Sequence, residues 1–196
     1  MLKRCFDIFA SVLGLLFLLP FLLALAVVIK LDSRGPVFYR GLRGGRFGKP
    51  FRIFKFRTMV HNAEKIGGPS SAADDPRITR TGSFLRRYKL DELPQLINVA
   101  KGEMSFVGPR PEVFQEVQLY TEKEKRLLEV RPGITDWASI QFRNEGEILR
   151  GYADPHQAYR EKIRPEKVRL GLEYVNSHSF ATDCKIIVQT LKAILE

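Results

Sequence analysis

The chain has 196 residues, and its 32 Lys and Arg against 22 Asp and Glu give a formal net charge of +10. This length suits one domain, and a content of 44% hydrophobic and 28% charged residues excludes wholesale disorder. Two cysteines exclude a disulfide scaffold and a multi-cysteine zinc site, and the three histidines form no HExxH or HxxxH pair, which argues against a catalytic zinc centre.

The positive charge is concentrated around one apolar segment near the N-terminus. Residues 1–60 contain 11 basic and 2 acidic residues, whereas the rest of the chain contains 21 basic and 20 acidic ones. Residues 8–29 carry no charge, and as a helix they would be about 33 Å long, enough to cross the hydrocarbon core of a bilayer. The pattern predicts a membrane anchor. The nearest flanking cations are Lys3, Arg4, Lys30 and Arg34.

Four interpretations of this segment are open: a buried core helix, a signal peptide whose cleavage leaves an exported basic domain starting at Val27, a single membrane crossing, and a re-entrant hairpin. Pro20 lies near the middle, where it removes a helical hydrogen bond and bends the helix. Because basic flanks favour the cytoplasm, both ends are expected on the same face of the membrane. These features favour the hairpin, with a re-entrant anchor in residues 1–34 and a cytoplasmic domain in residues 35–196.

Short apolar runs and turn signals follow the anchor. Residues 37–39 and 51–56 are apolar and aromatic runs typical of strands, and residues 44–50 between them predict a turn. Residues 66–76 are rich in Gly, Pro, Ser, Ala and Asp and predict a loop. Residues 84–88 predict a short helix.

Capping signals predict further helices in the second half of the chain. Pro94 suits the first turn of a helix to about residue 100, and Gly102 ends it. Thr121 and Glu124 fit a capping box that opens a helix to about residue 130. Apolar residues at helical spacing over residues 186–195 predict an amphipathic helix that packs on the domain or lies on the membrane surface. Together these elements predict an α+β fold that is mostly helical.

Asp91 and Glu92 are adjacent carboxylates just before the helix that Pro94 starts. A helix N-terminus carries free N–H groups and partial positive charge, so it attracts anions such as phosphates. The plain interpretation is that the two acids only cap the helix. Cations immediately upstream, Arg86 and Lys89 among them, favour instead a site for a phosphorylated substrate with a divalent metal ion.

Arg110 and Lys55 are further candidates for binding phosphate. Pro109 and Pro111 restrict the backbone on both sides of Arg110, which can then present its guanidinium to a phosphate at low entropic cost. Lys55 stands in a run of cations and aromatic residues, a pattern that also occurs in nucleic-acid-binding proteins. Because the positive charge surrounds a membrane segment, anionic lipid headgroups are the simpler partner, and no nucleic acid is predicted.

Several motifs, in this order along nearly the whole chain, resemble those of the bacterial sugar transferases, the small monotopic phosphoglycosyl transferases. They are KFRTM at residues 55–59, DELPQL at 91–96, KGEMSFVGPRP at 101–111 and RPGIT at 131–135. The family's anchor is a re-entrant helix with a proline-centred break, and Pro20 matches it. The resemblance therefore implies such an anchor, followed by a compact catalytic domain with few short strands and amphipathic interfacial helices. It also implies a location at the cytoplasmic face of the bacterial inner membrane.

The resemblance implies a reaction as well. The family moves a sugar-1-phosphate from a UDP-sugar to a polyprenol phosphate such as undecaprenyl phosphate, releasing UMP, as the first membrane step of glycoconjugate assembly. By similarity, Asp91 is the nucleophile that forms an aspartyl phosphosugar and lies near Mg²⁺, and Glu92 is the second acid, assigned to proton handling or metal positioning. The residues expected to bind phosphate or nucleotide are Lys55, Arg86, Arg110 and Arg143.

Some positions depart from the family's usual pattern, and those after residue 135 leave the sugar unassigned. A non-catalytic, membrane-tethered protein that binds anions or acts as a scaffold stays as the alternative, because it needs only the anchor and the basic segment. The departures are Leu19, Asp136, Trp137 and Phe142.

Overall fold

The computed structural model describes residues 2–68 and 70–195 and is mostly helical with few short strands, as the sequence predicts. The helices are α1 (Leu2–Asp32), α2 (Arg80–Arg87), α3 (Gln95–Lys101), α4 (Phe114–Val117), α5 (Glu122–Lys125), α6 (Trp137–Gln141), α7 (Glu145–Ile148), α8 (Pro155–Ala158), α9 (Arg164–Ser177) and α10 (Phe180–Leu195). The strands are β1 (Phe38–Tyr39), β2 (Leu42–Gly44), β3 (Pro50–Arg52), β4 (Lys55–Phe56), β5 (Ser105–Val107) and β6 (Gly133–Thr135). Short 3₁₀ turns occupy Arg46–Gly48, Ala63–Lys65, Leu90–Glu92 and Arg126–Glu129, and Tyr159–Ile163 is a π-helical turn.

The strands in the described residues form separate pairs rather than one sheet. β1 pairs antiparallel with β4 and β2 with β3, whereas β5 runs parallel to β6. The prediction of one strand over residues 51–56 is wrong, because this run divides into β3 and β4. Phe51 and Ile53 belong to a buried cluster with Val99, whereas Phe56 belongs to a different cluster. The two halves of the run therefore pack in different places.

Helix α1 turns one face to the domain and an apolar face outward. Its outward face exposes large side chains such as Phe9, Phe17 and Leu31. The helix is long and apolar enough to cross a membrane by length and composition, and its exposed face fits a lipid environment. Buried and half-buried residues recur every three or four positions, which keeps them on one side of the helix. They include Arg4, Asp7, Ser11, Gly14, Leu18, Leu22, Leu25 and Ile29.

Both ends of α1 are bonded to the same domain. At the N-terminal end, Lys3 Nζ forms an ion pair with Asp183 Oδ2 of α10 at 2.5 Å. At the other end, Arg57 Nη2 donates hydrogen bonds to the backbone oxygens of Ser33 at 2.6 Å and Ile29 at 3.2 Å. A cation at the C-terminus of a helix satisfies its last carbonyl groups and complements the helix dipole.

The helical backbone of α1 continues through Pro20, from Leu2 to Asp32. Proline removes one intrahelical hydrogen bond, and packing along one face can maintain the helix on both sides of it. The structure therefore shows one helix instead of two half-helices, and the re-entrant hairpin stays a prediction.

Local capping signals are confirmed by the structure. Pro94 occupies the N-cap position of α3, and Gly102 ends that helix with a left-handed φ of 86°. The capping box of Thr121 and Glu124 opens α5, although the second part of the predicted helix tightens into the 3₁₀ turn Arg126–Glu129. The helix predicted at residues 84–88 begins earlier as α2, because Thr79 caps it by accepting a hydrogen bond from the backbone of Gly82.

The loop predicted over residues 66–76 contains no helix or strand among its described residues. The predicted C-terminal amphipathic helix is α10. Its Ile186 is fully buried, whereas Leu191 and Ile194 are exposed, so only part of its apolar stripe packs on the domain.

Candidate active site

Asp91 and Glu92 lie in the 3₁₀ turn Leu90–Glu92, between α2 and α3. Lys89 precedes the turn in the left-handed conformation, with φ 56° and ψ 19°. Leu90 packs against a buried cluster formed by α1, β4 and α2, whose members are Leu25, Ile29, Phe56 and Leu85. This packing fixes the position of the turn, which in that way determines where the two carboxylates lie.

The carboxylate of Glu92 is held between two cations. Lys55 Nζ of β4 donates to Glu92 Oε1 at 2.8 Å, and Arg110 Nη1 donates to Oε2 at 3.1 Å. A second bond joins Arg110 Nη2 to Oε1, so the arginine binds the carboxylate with both arms of its fork. Burial raises the pKa of Glu92, but the charges and hydrogen bonds of Arg110 and Lys55 outweigh burial and hold it well below its usual range. Glu92 is therefore ionised at neutral pH.

Asp91 is buried like Glu92 but is not similarly bound. Asp91 is 8% exposed, and its carboxylate accepts no hydrogen bond from the described parts of the chain. Burial raises the pKa of Asp91, and the negative charge of Glu92 raises it further, while the positive charges of Lys55 and two arginines oppose this shift. The carboxylate is thus surrounded by cations and still able to bond to a substrate.

Arg86, on the last turn of α2, is the second arginine beside Asp91. Its Nε donates to Thr58 Oγ1 at 2.9 Å, and its Nη1 donates to Ser71 Oγ at 2.7 Å. Burial lowers its pKa, and the negative charge of Asp91 opposes that effect. Ser71 belongs to the loop of residues 66–76, so this loop reaches the candidate site.

The backbone around Arg110 is fixed by the parallel pair of β5 and β6. The chain leaves β5 at Val107 and passes Gly108, where an added Cβ would lie 2.3 Å from the backbone oxygen of Arg131. Only glycine fits such a close approach of two backbones. The N–H of Arg110 then donates to Asp136 Oδ2 at 3.3 Å, so the arginine that binds Glu92 starts from a rigid position.

The positions that depart from the family pattern have different surroundings. Asp136 is buried and caps α6, because its Oδ1 accepts a hydrogen bond from Ser139 N at 2.6 Å. Trp137 packs against a cluster that contains Tyr174 and Ile186, and Phe142 packs against a separate one near α8. Asp136 therefore has a structural role as the N-cap of α6.

Arg143 is turned toward the C-terminal helix. Its Nη1 donates to the backbone oxygen of Ala193 at 2.6 Å. The structure therefore brings together Lys55, Arg86 and Arg110 with the two carboxylates, whereas the prediction that Arg143 binds the nucleotide stays a prediction.

The residues present fit a magnesium ion that is held mainly by substrate. The described residues contain no group of three or more His, Cys, Asp and Glu side chains that could enclose a metal. Mg²⁺ commonly keeps several waters and takes one or two carboxylates together with substrate phosphates. Asp91 has oxygens free for that purpose, whereas both oxygens of Glu92 are bound by cations.

Sequence reasoning missed several partners in this site. Thr58 and Ser71 hold Arg86, and Asp136 holds the backbone of Arg110. Thr58 lies inside the KFRTM motif, which provided a signal. Ser71 lies in a loop whose composition predicts only irregular structure, so no local signal identified it.

Comparison with known proteins identifies the family. The family model described as bacterial sugar transferase matches residues 1–196. The chain is 40% identical over 194 residues to the "Uncharacterized sugar transferase EpsL" of Bacillus subtilis (strain 168), which covers 99% of this chain and 87% of the relative.

Two larger relatives have more specific names. The chain is 37% identical over 201 residues to the UDP-N-acetylgalactosamine-undecaprenyl-phosphate N-acetylgalactosaminephosphotransferase of Aeromonas hydrophila, covering 99% of this chain and 44% of the relative. It is 40% identical over 200 residues to the UDP-glucose:undecaprenyl-phosphate glucose-1-phosphate transferase of Escherichia coli (strain K12), covering 97% of this chain and 39% of the relative. The chain thus spans less than half of these two relatives but most of the first. On the match along its whole length, this chain belongs to the bacterial sugar transferase family.

Proposed function

We propose that this protein transfers a sugar-1-phosphate from a UDP-sugar to undecaprenyl phosphate or a similar polyprenol phosphate and releases UMP. Such a product starts the membrane stage of bacterial glycoconjugate synthesis. The names of the relatives from Aeromonas hydrophila and Escherichia coli support this donor and acceptor class. The observation that carries the proposal is the contrast within the dyad, in which Asp91 is surrounded by cations without being hydrogen-bonded, while Glu92 is bound on both oxygens.

The proposed reaction has two balanced steps. In the first, a carboxylate oxygen of Asp91 attacks the phosphorus that bears the sugar, a P–O bond to the uridylyl phosphate breaks, and UMP leaves with the electron pair. In the second, a phosphate oxygen of the polyprenol phosphate attacks the same phosphorus, and the bond to Asp91 breaks. The carboxylate is restored, and the product is a polyprenyl diphosphate sugar. Covalent catalysis of this kind divides one difficult transfer into two easier steps.

The cations near Asp91 make its attack on an anion feasible. A carboxylate and a diphosphate repel each other, and preorganised positive charge lowers that repulsion without rearrangement during the reaction. Lys55, Arg86 and Arg110 provide the charge from the protein. Asp91 would also hold Mg²⁺ together with substrate phosphates, and the ion would supply further charge neutralisation.

Glu92 fits a positioning role better than proton transfer. Its pKa lies well below the usual range, so it does not carry a proton at neutral pH. Its two bonds to Arg110 and its bond to Lys55 place both cations at the level of the 3₁₀ turn. We therefore assign Glu92 the task of orienting the phosphate-binding cations.

The anchor supports a monotopic arrangement at the cytoplasmic face of the inner membrane. Both ends of α1 are bonded to one domain, which supports placing both ends on the same side of the bilayer. The exposed apolar face of α1 would contact the lipid. The helix is unbroken in the structure, so re-entry needs a bend, which the hydrogen bond missing at Pro20 makes easier. Single cysteines introduced as Leu2→Cys and Arg34→Cys, in a chain without Cys5 and Cys184, test this. An impermeant maleimide should modify both in inverted vesicles and neither in intact cells.

The test of the reaction is UMP release from a panel of UDP-sugars, with Mg²⁺ and undecaprenyl phosphate in detergent. Wild type should turn over at least one donor, which also names the sugar, and Asp91→Asn should turn over none. Asp74→Asn is the matched control, because Asp74 is an exposed aspartate in the loop outside the dyad. Intact mass after incubation with donor alone should show a phosphosugar adduct on wild type only.

The alternative of a non-catalytic scaffold predicts a different result. Folded wild type would release no UMP from any donor and form no adduct, and Asp91→Asn would behave identically. Charge reversal at Arg52 and other cations of the basic segment would instead release the protein from anionic vesicles. Turnover by Asp91→Asn at the wild-type rate would exclude the proposed covalent mechanism.

A further inference from the structure

Lys89 is a strained residue immediately before the 3₁₀ turn Leu90–Glu92, which we call the catalytic turn in line with the proposed function. Its φ of 56° and ψ of 19° lie in the left-handed region, which costs energy for a residue with a side chain. Two backbone hydrogen bonds hold it there: Lys89 N donates to Arg86 O at 3.2 Å, and its oxygen accepts from Glu92 N at 3.3 Å. The strained residue therefore links the end of α2 directly to the dyad.

The ammonium of Lys89 has no bonding partner among the described residues. The side chain is exposed, and it makes neither a hydrogen bond nor an ion pair with any residue in the described segments. It nevertheless lies within electrostatic range of Glu92, Arg110 and Asp91. Three hydrogen-bond donors thus stand unused within electrostatic range of Asp91, the carboxylate proposed to receive the substrate.

The other cations of the site differ from Lys89 in this respect. Lys55 and Arg110 are paired with Glu92, and Arg86 donates to two hydroxyl groups. Their positions are fixed before substrate arrives, whereas the ammonium of Lys89 ends a flexible stem on a fixed backbone. A lysine suits a phosphate whose position changes during a reaction, because its charge is compact and its donors rotate.

We propose that Lys89 is a further substrate-binding residue, whose ammonium binds a phosphate oxygen of a substrate held at Asp91. The proposal rests on the proposed function. It turns the general expectation of a cation near the dyad into a specific contact of Lys89 with phosphate, which the family motifs do not assign. Backbone strain is commonly retained at functional sites, where the surrounding structure enforces it. The phosphate has two possible sources, the diphosphate of the donor and the phosphate of the acceptor.

The two half-reactions distinguish these sources. The variants are Lys89→Gln, which removes the charge, and Lys89→Arg, which keeps it. If Lys89 binds the donor, Lys89→Gln should raise the UDP-sugar concentration for half-maximal adduct formation about tenfold, in line with the loss of one charge-assisted hydrogen bond. If Lys89 binds the acceptor, adduct formation should be unchanged, and KM for undecaprenyl phosphate should rise by about the same factor. Lys89→Arg should recover most of the loss in either case.

A purely structural role predicts a different pattern. Asparagine accepts the left-handed conformation more easily than lysine does. Lys89→Asn should therefore retain wild-type kinetics if only the backbone matters, and it should resemble Lys89→Gln if the charge matters. Arg87→Gln is the matched control, because Arg87 is an exposed cation two residues away whose guanidinium faces the ring of Tyr88. It should leave both half-reactions unchanged.

Two results would overturn the proposal: unchanged donor and acceptor constants in Lys89→Gln, or wild-type constants in Lys89→Asn. Either would leave the proposed function intact, since that depends on Asp91→Asn. If wild type itself shows no turnover, the proposed function fails, and equilibrium binding of inorganic pyrophosphate decides the remaining question. Binding weakened about tenfold by Lys89→Gln but not by Arg87→Gln would support a phosphate ligand, and equal binding would refute it.

Discussion

Replacing Glu92 by glutamine tests whether the ion cluster holds the catalytic turn together. The substitution keeps the shape of the side chain and removes its charge. In the native protein, Lys55 Nζ lies 2.8 Å from Glu92 Oε1 and Arg110 Nη1 lies 3.1 Å from Glu92 Oε2. Both cations lose this counter-ion in the variant. Two neighbouring cations remain, each partly desolvated and each repelling the other.

The expected loss of stability follows from the burial of the three side chains. The side chain of Glu92 is 13% exposed, that of Lys55 18% and that of Arg110 33%. The two ion pairs are therefore intermediate between fully buried pairs and surface pairs. Breaking a buried pair costs about 3–5 kcal/mol, whereas a surface pair contributes at most about 1 kcal/mol. We expect Glu92→Gln to lower the free energy of unfolding by about 3 kcal/mol. For a chain of this size, that lowers Tm by about 6–12 °C.

The pH dependence of this difference follows from the direction of the pKa shift. The pKa of Glu92 in the folded protein lies below the unfolded value of about 4.3. Its stabilising contribution is therefore complete above that value and is lost as the pH falls through the folded pKa. The gap in Tm between wild type and Glu92→Gln should be constant around neutral pH and should narrow in acid.

Thermal unfolding of the full chain in detergent measures the effect, and two further variants make the measurement specific. Glu122→Gln removes an exposed carboxylate that pairs with Lys125 at 2.5 Å, and it should leave Tm unchanged. Lys55→Met combined with Glu92→Gln should lose less than the sum of the single variants, because the two residues interact directly. A Tm for Glu92→Gln equal to that of wild type would show that the cluster does not stabilise the turn.

The remaining predictions concern the elements that surround the site. Arg57→Met should lower the free energy of unfolding by about 2–3 kcal/mol, measured by thermal unfolding in detergent, because it leaves the end of α1 without its buried hydrogen-bond donor. Gly82→Ala should displace α2 and reduce UMP release, since the new Cβ would lie 2.0 Å from the oxygen of Thr58, whereas Gly14→Ala makes only an ordinary contact and should not. Asp75→Asn should increase proteolysis of the loop of residues 66–76 at neutral pH, because hydrogen bonds from Arg77 hold the pKa of Asp75 below its usual range. Wild type should become equally susceptible as acid removes that charge.

Capping residues made the helices near the site predictable. Pro94 and Gly102 mark the two ends of α3, and both act through their own backbone geometry, so no distant contact is needed. The strands were less predictable, because a strand of two or three residues depends on a partner elsewhere in the chain. The pairing of β5 with β6 brings Ser105 opposite Gly133, and no local pattern in either segment indicates the other.

The residue types in the site were more predictable than which cation pairs with which carboxylate. The motifs identified the dyad and the cations Lys55 and Arg110, but they did not indicate that both cations bind Glu92 and leave Asp91 free of hydrogen bonds. That division depends on side-chain positions fixed by β4 on one side and by the β5–β6 pair on the other. Sequence spacing contains no information on which of two adjacent carboxylates faces a third element.

The segment of β4 and the residue after it connect the anchor to the dyad within three residues. Lys55 binds Glu92, Phe56 is buried in the cluster that includes Ile29 of α1, and Arg57 bonds to the backbone at the end of α1. An extended segment of only three residues has too little freedom for its two ends to move independently. Packing therefore fixes the position of the catalytic turn relative to the end of α1. Under the proposed function, the acceptor phosphate is confined to the surface of a bilayer, and Asp91 must meet it at a constant depth.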